Sequence, residues 1–182
     1  MGIVTVMGID PSLRNTGIAI AEVNTETGNV VKIVDLILAR TQPGPKSQRK
    51  SSADFEAATV ISTSIRNAVA EFRPSVVFAE IPSGTQSARA SFALGITLGI
   101  MATMLPKPIE VTPQQTKLQS VGVRTATKGE MIEWAVAVYP EAQWQRTSGG
   151  RIMNANEHLA DAIGVIYAGL VTPEWQVIKT LL

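Results

Sequence analysis

Cysteine is absent from the chain and histidine occurs once, at position 158. Without thiolates there are no disulfides and no sulfur-bound zinc. Any metal must therefore be held by oxygen ligands with at most one imidazole, which narrows the choice to hard cations. No run of about 18 apolar residues is present to cross a bilayer, and no basic segment followed by an apolar run and a cleavage site opens the sequence, so a cytoplasmic, non-membrane location is expected. Charge of one sign is missing too: the net charge is +1, which by itself argues neither for nor against a polyanionic partner. Charge blocks, low-complexity tails and internal repeats are also lacking. With 45% hydrophobic and 17% charged residues, the 182 positions fit one folded domain, 1–182.

The distribution of charge says more than its sum. Arg40, Lys46, Arg49 and Lys50 follow one another with no acid among them, and a sparser set comprises Lys107, Lys117, Arg124 and Lys128. Both sets are suited to a phosphate backbone, although solvated loop and helix charges would read the same way.

Residues 2–10, GIVTVMGID, are apolar and β-branched and end in a carboxylate, the pattern of a buried strand delivering a polar group to its tip. Turns at PSLRNTG and around Thr27-Gly28-Asn29 lead to strands over 17–23 and 30–39, which makes a three-stranded meander. TQPGPKSQRKSS is predicted to be a loop. Apolar positions including Phe55, Ala58, Val60, Ile61, Ile65 and Phe72 then predict a helix over 52–72, capped by Ser52 or Asp54. Residues 75–81, SVVFAEI, form a second strand pattern finishing in an acid, Glu80. A close-packed helix of small and apolar residues is expected over 86–104, a short strand over 109–111, and helices starting at Pro113, over 127–138 and over 155–170. Strands alternating with helices in this order imply an α/β fold, with a mixed five-stranded sheet flanked by helices.

Asp10 and Glu80 both close predicted strands, the edge where sites form in open α/β sheets. His158 and Asp161 are three apart on the last predicted helix and so share a face. Each has a plainer reading: Asp10 as a turn acid before Pro11, Glu80 as a surface residue, Asp161 as an arginine's partner, and His158 as a satisfied imidazole. Glu56 and Glu157 read as solvated. Taken together, three carboxylates without a basic partner repel one another, and a divalent cation relieves that cost. Mg²⁺ prefers oxygen ligands and completes its shell with water and substrate phosphates, so phosphodiester hydrolysis is the matching chemistry.

GIDPSLRNTGIAI at 8–20, FAEIPSG at 78–84 and EHLADAIGVIYAG at 157–169 resemble, in order, the three motifs of the RuvC-type Holliday junction resolvases, members of the ribonuclease H-like superfamily. The resemblance covers most of the chain. It implies a ribonuclease H-like fold and a homodimeric, Mg²⁺-dependent endonuclease, with Mn²⁺ as a substitute, that cleaves branched DNA. It also implies Asp10, Glu80, His158 and Asp161 as the metal and catalytic set, with Lys117 near the scissile phosphate and Lys128 near the DNA. Lys46, Arg49, Lys50, Ser83 and Arg124 are the further DNA-binding candidates. The helix over 86–104 is the candidate dimer interface, and a bacterium or bacteriophage would suit such an enzyme.

Ser12 stands where the family usually has glycine, and Ser83 stands where some members carry an aromatic side chain that wedges into the junction. Flaps and forks therefore remain alongside the four-way junction as substrates. Three other readings compete: a nuclease of RNA-DNA hybrids built on the same metal site, a non-catalytic branched-DNA-binding module, and a phosphate-gripping actin-like ATPase. The last needs a second domain and a second phosphate motif, neither of which is found.

Overall fold

The computed structural model describes residues 2–42 and 44–182; Pro43, inside the expected basic loop, lies outside the described residues. Strands β1 (Ile3–Asp10), β2 (Asn15–Asn24) and β3 (Val30–Arg40) form the antiparallel meander. Helix α1 (Lys50–Phe72) then crosses over to β4 (Val76–Glu80), which pairs parallel with β1. Helix α2 (Ala88–Ala102) leads to β5 (Ile109–Val111), parallel to β4. The sheet order is β3-β2-β1-β4-β5, an α/β fold with a mixed five-stranded sheet. Helices α3 (Pro113–Val121), α4 (Lys128–Val138), α5 (Glu157–Gly169) and α6 (Pro173–Ile178) complete the chain.

Alternation along β1 and β4 divides the core in two. Val6 and Val76 with Phe78 face α5, where Leu159, Ile163 and Ile166 are fully buried. Met7, Ile9, Val77 and Ala79 face the other way, onto Ile61 and Ile65 of α1 and Met101 of α2. Each fully buried isoleucine contributes roughly 1.5–3 kcal/mol relative to exposure. Helix α6, which no pattern in the sequence singles out, closes the first core with Trp175, edge-on to Phe78 at 6.0 Å between ring centroids.

Three expectations need correction. Helix α1 starts at Lys50 with Arg49 at its cap position and no side-chain cap, so neither Ser52 nor Asp54 caps it. Asp54 is buried instead, accepting from Arg89 with both carboxylate oxygens and from Arg14 Nη2 at 3.3 Å. Phe55 and Val60, counted as core positions, are exposed, because α1 is covered along only one narrow stripe. Nor is α2 close-packed: only Thr97 and Met101 are buried, and a Cβ added at Gly95 or Gly99 would meet nothing within 4 Å. Its small residues leave an open outer face.

The hydrogen bonds from Arg89 outweigh burial and, with the charges of Arg89 and Arg14, hold the Asp54 carboxyl below its ordinary value of 3.8. A depressed carboxylate stabilises the fold above its unfolded pKa, and that contribution is lost as pH falls through the folded value. Urea melts between pH 7 and pH 3 are therefore expected to show acid destabilisation of the wild type below about pH 4 that is smaller in Asp54→Asn. An identical acid limb in both proteins would contradict this role.

Candidate functional site

Ile9 lies opposite Ala79 in the parallel β1–β4 register, so the next residues, Asp10 and Glu80, emerge side by side at the C-terminal edge of the sheet. Asp10 shares a sheet face with Gly8, and Glu80 shares one with Phe78, which is the face that α5 covers. Glycine sets the height of that helix. A Cβ at Gly17, directly across from Asp10 on β2, would stand 1.9 Å from the carbonyl oxygen of His158, and one at Gly8 would stand 2.2 Å from that of Ala162. With no side chain at either position, the first turn of α5 rests on the strands and brings His158 and Asp161 down onto the two acids. Gly164 does the same toward α3, where a Cβ would meet Ser120 Oγ at 2.6 Å and Thr116 Cγ2 at 2.8 Å. Thr116 and Lys117 are thereby carried beside Glu80.

His158 Nδ1 donates to Asp10 Oδ2 at 2.7 Å, and its Nε2 lies 3.3 Å from Glu157 Oε1. Glu157 also accepts from Lys128 Nζ at 2.9 Å. Burial disfavours the imidazolium, yet the hydrogen bond and charge of Asp10, with Glu157 and Asp161, outweigh it and raise the His158 pKa. Glu80 is pushed up to about 8 by burial and then by the Asp10 and Asp161 charges, against the Thr116 hydroxyl and Lys117. Asp161 is pushed up to about 7, chiefly by burial and by Asp10. Among the described residues no arginine ion pair holds Asp161, so the plainer reading of it as an arginine's partner does not apply.

The four residues singled out for metal and catalysis thus sit within mutual electrostatic reach, with Lys117 and Lys128 at the margin. Among the described residues, however, no three His, Asp or Glu side chains are already drawn into a ready ligand set, and His158 spends Nδ1 on Asp10. The donor chemistry suits a hard cation all the same. Two carboxylates raised to about 8 and 7 by desolvation and by the charge of Asp10 are the groups whose protons a dication replaces most favourably. Closing on an ion would require Asp10 to share itself between that ion and His158.

The DNA-binding candidates scatter more widely. Lys46 and Lys50 are exposed and line a cleft with Arg14 and Arg89. Arg49 is exposed at the start of α1, and Ser83 is exposed in the loop between Glu80 and α2. Arg124 lines a separate cleft with Thr112, Gln114, Gln115 and Leu118. Glu157 is not the solvated acid its sequence position suggests: its side chain is only 20% exposed and lies between Lys128 and His158. Its place beside His158 was visible in the sequence, but the lysine that holds it lies 29 residues away.

No protein-family model matches the chain, and neither does any curated protein. Solved structures do. Thermus thermophilus RuvC, in complex with a Holliday junction substrate, superposes with a TM-score of 0.67 at 21% identity, over 91% of this chain and 92% of that one. The yeast mitochondrial Holliday junction resolvase Ydc2 gives 0.61 at 14% identity, over 97% and 80%. The fowlpox virus resolvase, solved with Holliday junction DNA, gives 0.51 at 12% identity, over 91% and 96%. The chain therefore has the ribonuclease H-like fold of RuvC and its structural relatives, as its three sequence motifs imply.

Proposed function

We propose that the protein is a divalent-metal-dependent endonuclease that hydrolyses phosphodiester bonds in branched DNA, four-way junctions among them. The observation that carries this reading is the convergence of Asp10, Glu80 and Asp161 at one sheet edge, two of them raised well above ordinary carboxylate values, on a RuvC-like fold. Asp10, Glu80 and Asp161, with His158 as a fourth donor, would hold Mg²⁺ or Mn²⁺. That cation supplies an activated water, orientation of the scissile phosphate and relief of charge on the leaving oxygen.

The remaining work belongs to the chain. Lys117 sits where its charge already acts on Glu80 and Asp161, and it would also act on charge developing at a phosphate in the site. Asp10, bonded to Nδ1, and Glu157, 3.3 Å from Nε2, set the orientation of the His158 ring for proton transfer, and ligation of the ion would require Nε2 to turn from Glu157 to the metal. Lys128, held by Glu157, presents a cation at the rim.

A homodimer is part of the same proposal. A four-way junction offers two equivalent strands to two sites related by two-fold symmetry. On this chain the apolar cleft between α1 and α2, lined by Ile65, Val69, Ile100, Met104 and Leu105, is the surface proposed to be covered, and light scattering of the purified protein gives its mass directly.

The substrate test is a single-buffer Mg²⁺ panel of junction, fork, flap, linear duplex and RNA-DNA hybrid. Cleavage of branched DNA well above duplex and hybrid is expected. Cleavage confined to the hybrid would assign the chain to ribonuclease H chemistry, and binding of junctions without cleavage of anything would make it a binding module. His158→Asp is expected to keep at least about 10-fold more single-turnover activity than His158→Ala, since a carboxylate fills a ligand position that a methyl group does not. Equal rates would remove His158 from the ligand set.

A further inference from the structure

At the same end of the sheet as the acidic site, on the side that α1 and α2 cover, lies a cleft of about 370 Å³ built from three segments that meet only in the fold. Arg14 comes from the β1–β2 turn, four residues beyond Asp10. Lys46 comes from the loop into α1, Lys50 is the first residue of α1, and Arg89 comes from the first turn of α2. The loop is fastened to the turn: Thr41 donates its backbone N–H to the Arg14 carbonyl at 3.0 Å and its hydroxyl to that of Leu13 at 2.9 Å. Connectivity thus places the cleft at the same end of the sheet as Asp10 and Glu80.

Four cations line this cleft against one carboxylate, Asp54. Asp54 is 2% exposed, and both its oxygens are committed to the guanidinium groups of Arg89 and, through Nη2, of Arg14. Asp54 therefore fixes the two guanidinium forks, while Arg14 Nη1 and, from the same cleft, Gln48 Oε1 are buried with no hydrogen-bond partner among the described residues. Helix α1 adds to the imbalance: its first turn contains no acid, its cap supplies no side-chain acceptor, and Lys50 and Ala53 from that turn line the cleft, with Asp54 the next residue along. Two exposed lysines, two partly exposed arginines oriented by one carboxylate and an uncapped helix start call for an anion with several acceptor oxygens.

We propose that this cleft is a phosphate-binding site, distinct from the acidic centre, that grips a backbone phosphodiester of the DNA and so positions the strand presented to Asp10, Glu80 and Asp161. It deepens the branched-DNA reading and rests on it for the identity of the phosphate. Phosphate contacts of this kind set register without reading sequence. Asp54 acts here as a positioning residue for the two arginines.

The test is equilibrium binding of a labelled four-way junction, and of a duplex of equal length, across a salt series in Ca²⁺. The proteins compared are wild type, the double variant Lys46→Gln/Lys50→Gln, Arg14→Gln and, as a control, Lys179→Gln. The lysine pair is exposed, so its replacement leaves packing intact; Arg14→Gln is read alongside its thermal melt. Each phosphate contact contributes about 0.9 to the slope of log K against log salt. The lysine double variant is expected to bind on the order of 10-fold more weakly near physiological salt, with a slope shallower by about 1–2, while Lys179→Gln matches wild type. In parallel, titration of inorganic phosphate is followed by the arginine side-chain N–H resonances, and shifts of Arg14 and Arg89 are expected. If wild type binds no DNA yet phosphate moves those two resonances, the cleft stands as a phosphate site and the branched-DNA reading fails. If wild type binds DNA, the lysine variant keeps its affinity and slope, and phosphate moves neither arginine, the cleft proposal is overturned while that reading survives.

Discussion

Asp161→Asn and Asp10→Asn are expected to lower single-turnover cleavage of a junction by at least about 10²–10³-fold, the loss typical of removing one preorganised group from a centre where charge develops. Junction affinity should stay close to wild type. Asparagine preserves shape, and at position 10 it can still accept from His158 Nδ1, but it removes a negative charge from a cluster where Asp10 raises both Glu80 and Asp161 and where Asp161 raises Glu80. Stability should move the opposite way to activity. Relieving the Asp161 charge lets Glu80 ionise more easily, so without metal the melting temperature of Asp161→Asn should equal or exceed that of wild type. Robust cleavage by either variant would mean that the site is misplaced. Loss of binding along with cleavage would mean that the substitution had damaged the fold.

The second large effect belongs to a residue with no functional group. In Gly17→Ala the new methyl would stand 1.9 Å from the His158 carbonyl oxygen and 2.5 Å from its carbon, which are backbone atoms that cannot rotate away. Overpacking of this kind costs about 1–3 kcal/mol, which for a chain of this size lowers the melting temperature by several degrees. The first turn of α5 must lift off β2, and His158 and Asp161 lift with it. A cleavage defect larger than the stability loss accounts for is therefore expected, measured at a temperature where circular dichroism shows the variant fully folded. A folded Gly17→Ala protein with wild-type activity would show that α5 does not need this close approach.

The same geometry explains what could be read from sequence alone. Asp10 and Glu80 were legible only as a pair: each alone reads equally as a turn or surface acid, but two apolar β runs that both end in an acid point to one sheet edge. His158 and Asp161 were legible because helical spacing fixes their common face. Those are local patterns, and the strand register and glycine contacts only had to bring them together. What the sequence hid depends on distant partners. Asp54 looked like a cap because it stands near a helix start, but its carboxylate is claimed by Arg14 and Arg89, 40 and 35 residues away. Phe55 fits the helical period, yet among the described residues no element covers it and it stays exposed. Helix α2 has the composition of a packed helix, but Gly95 and Gly99 face open space and Phe92 is exposed, so only one side of it is covered.

The central claim is that this acidic cluster cleaves DNA through a bound hard cation. The direct measurement is single-turnover nicking of a synthetic four-way junction by the purified wild-type protein, first in EDTA and then with Mg²⁺ added back stepwise. No nicking in EDTA, and recovery that saturates with Mg²⁺, is the expected result. Nicking in EDTA at the Mg²⁺ rate would contradict the claim.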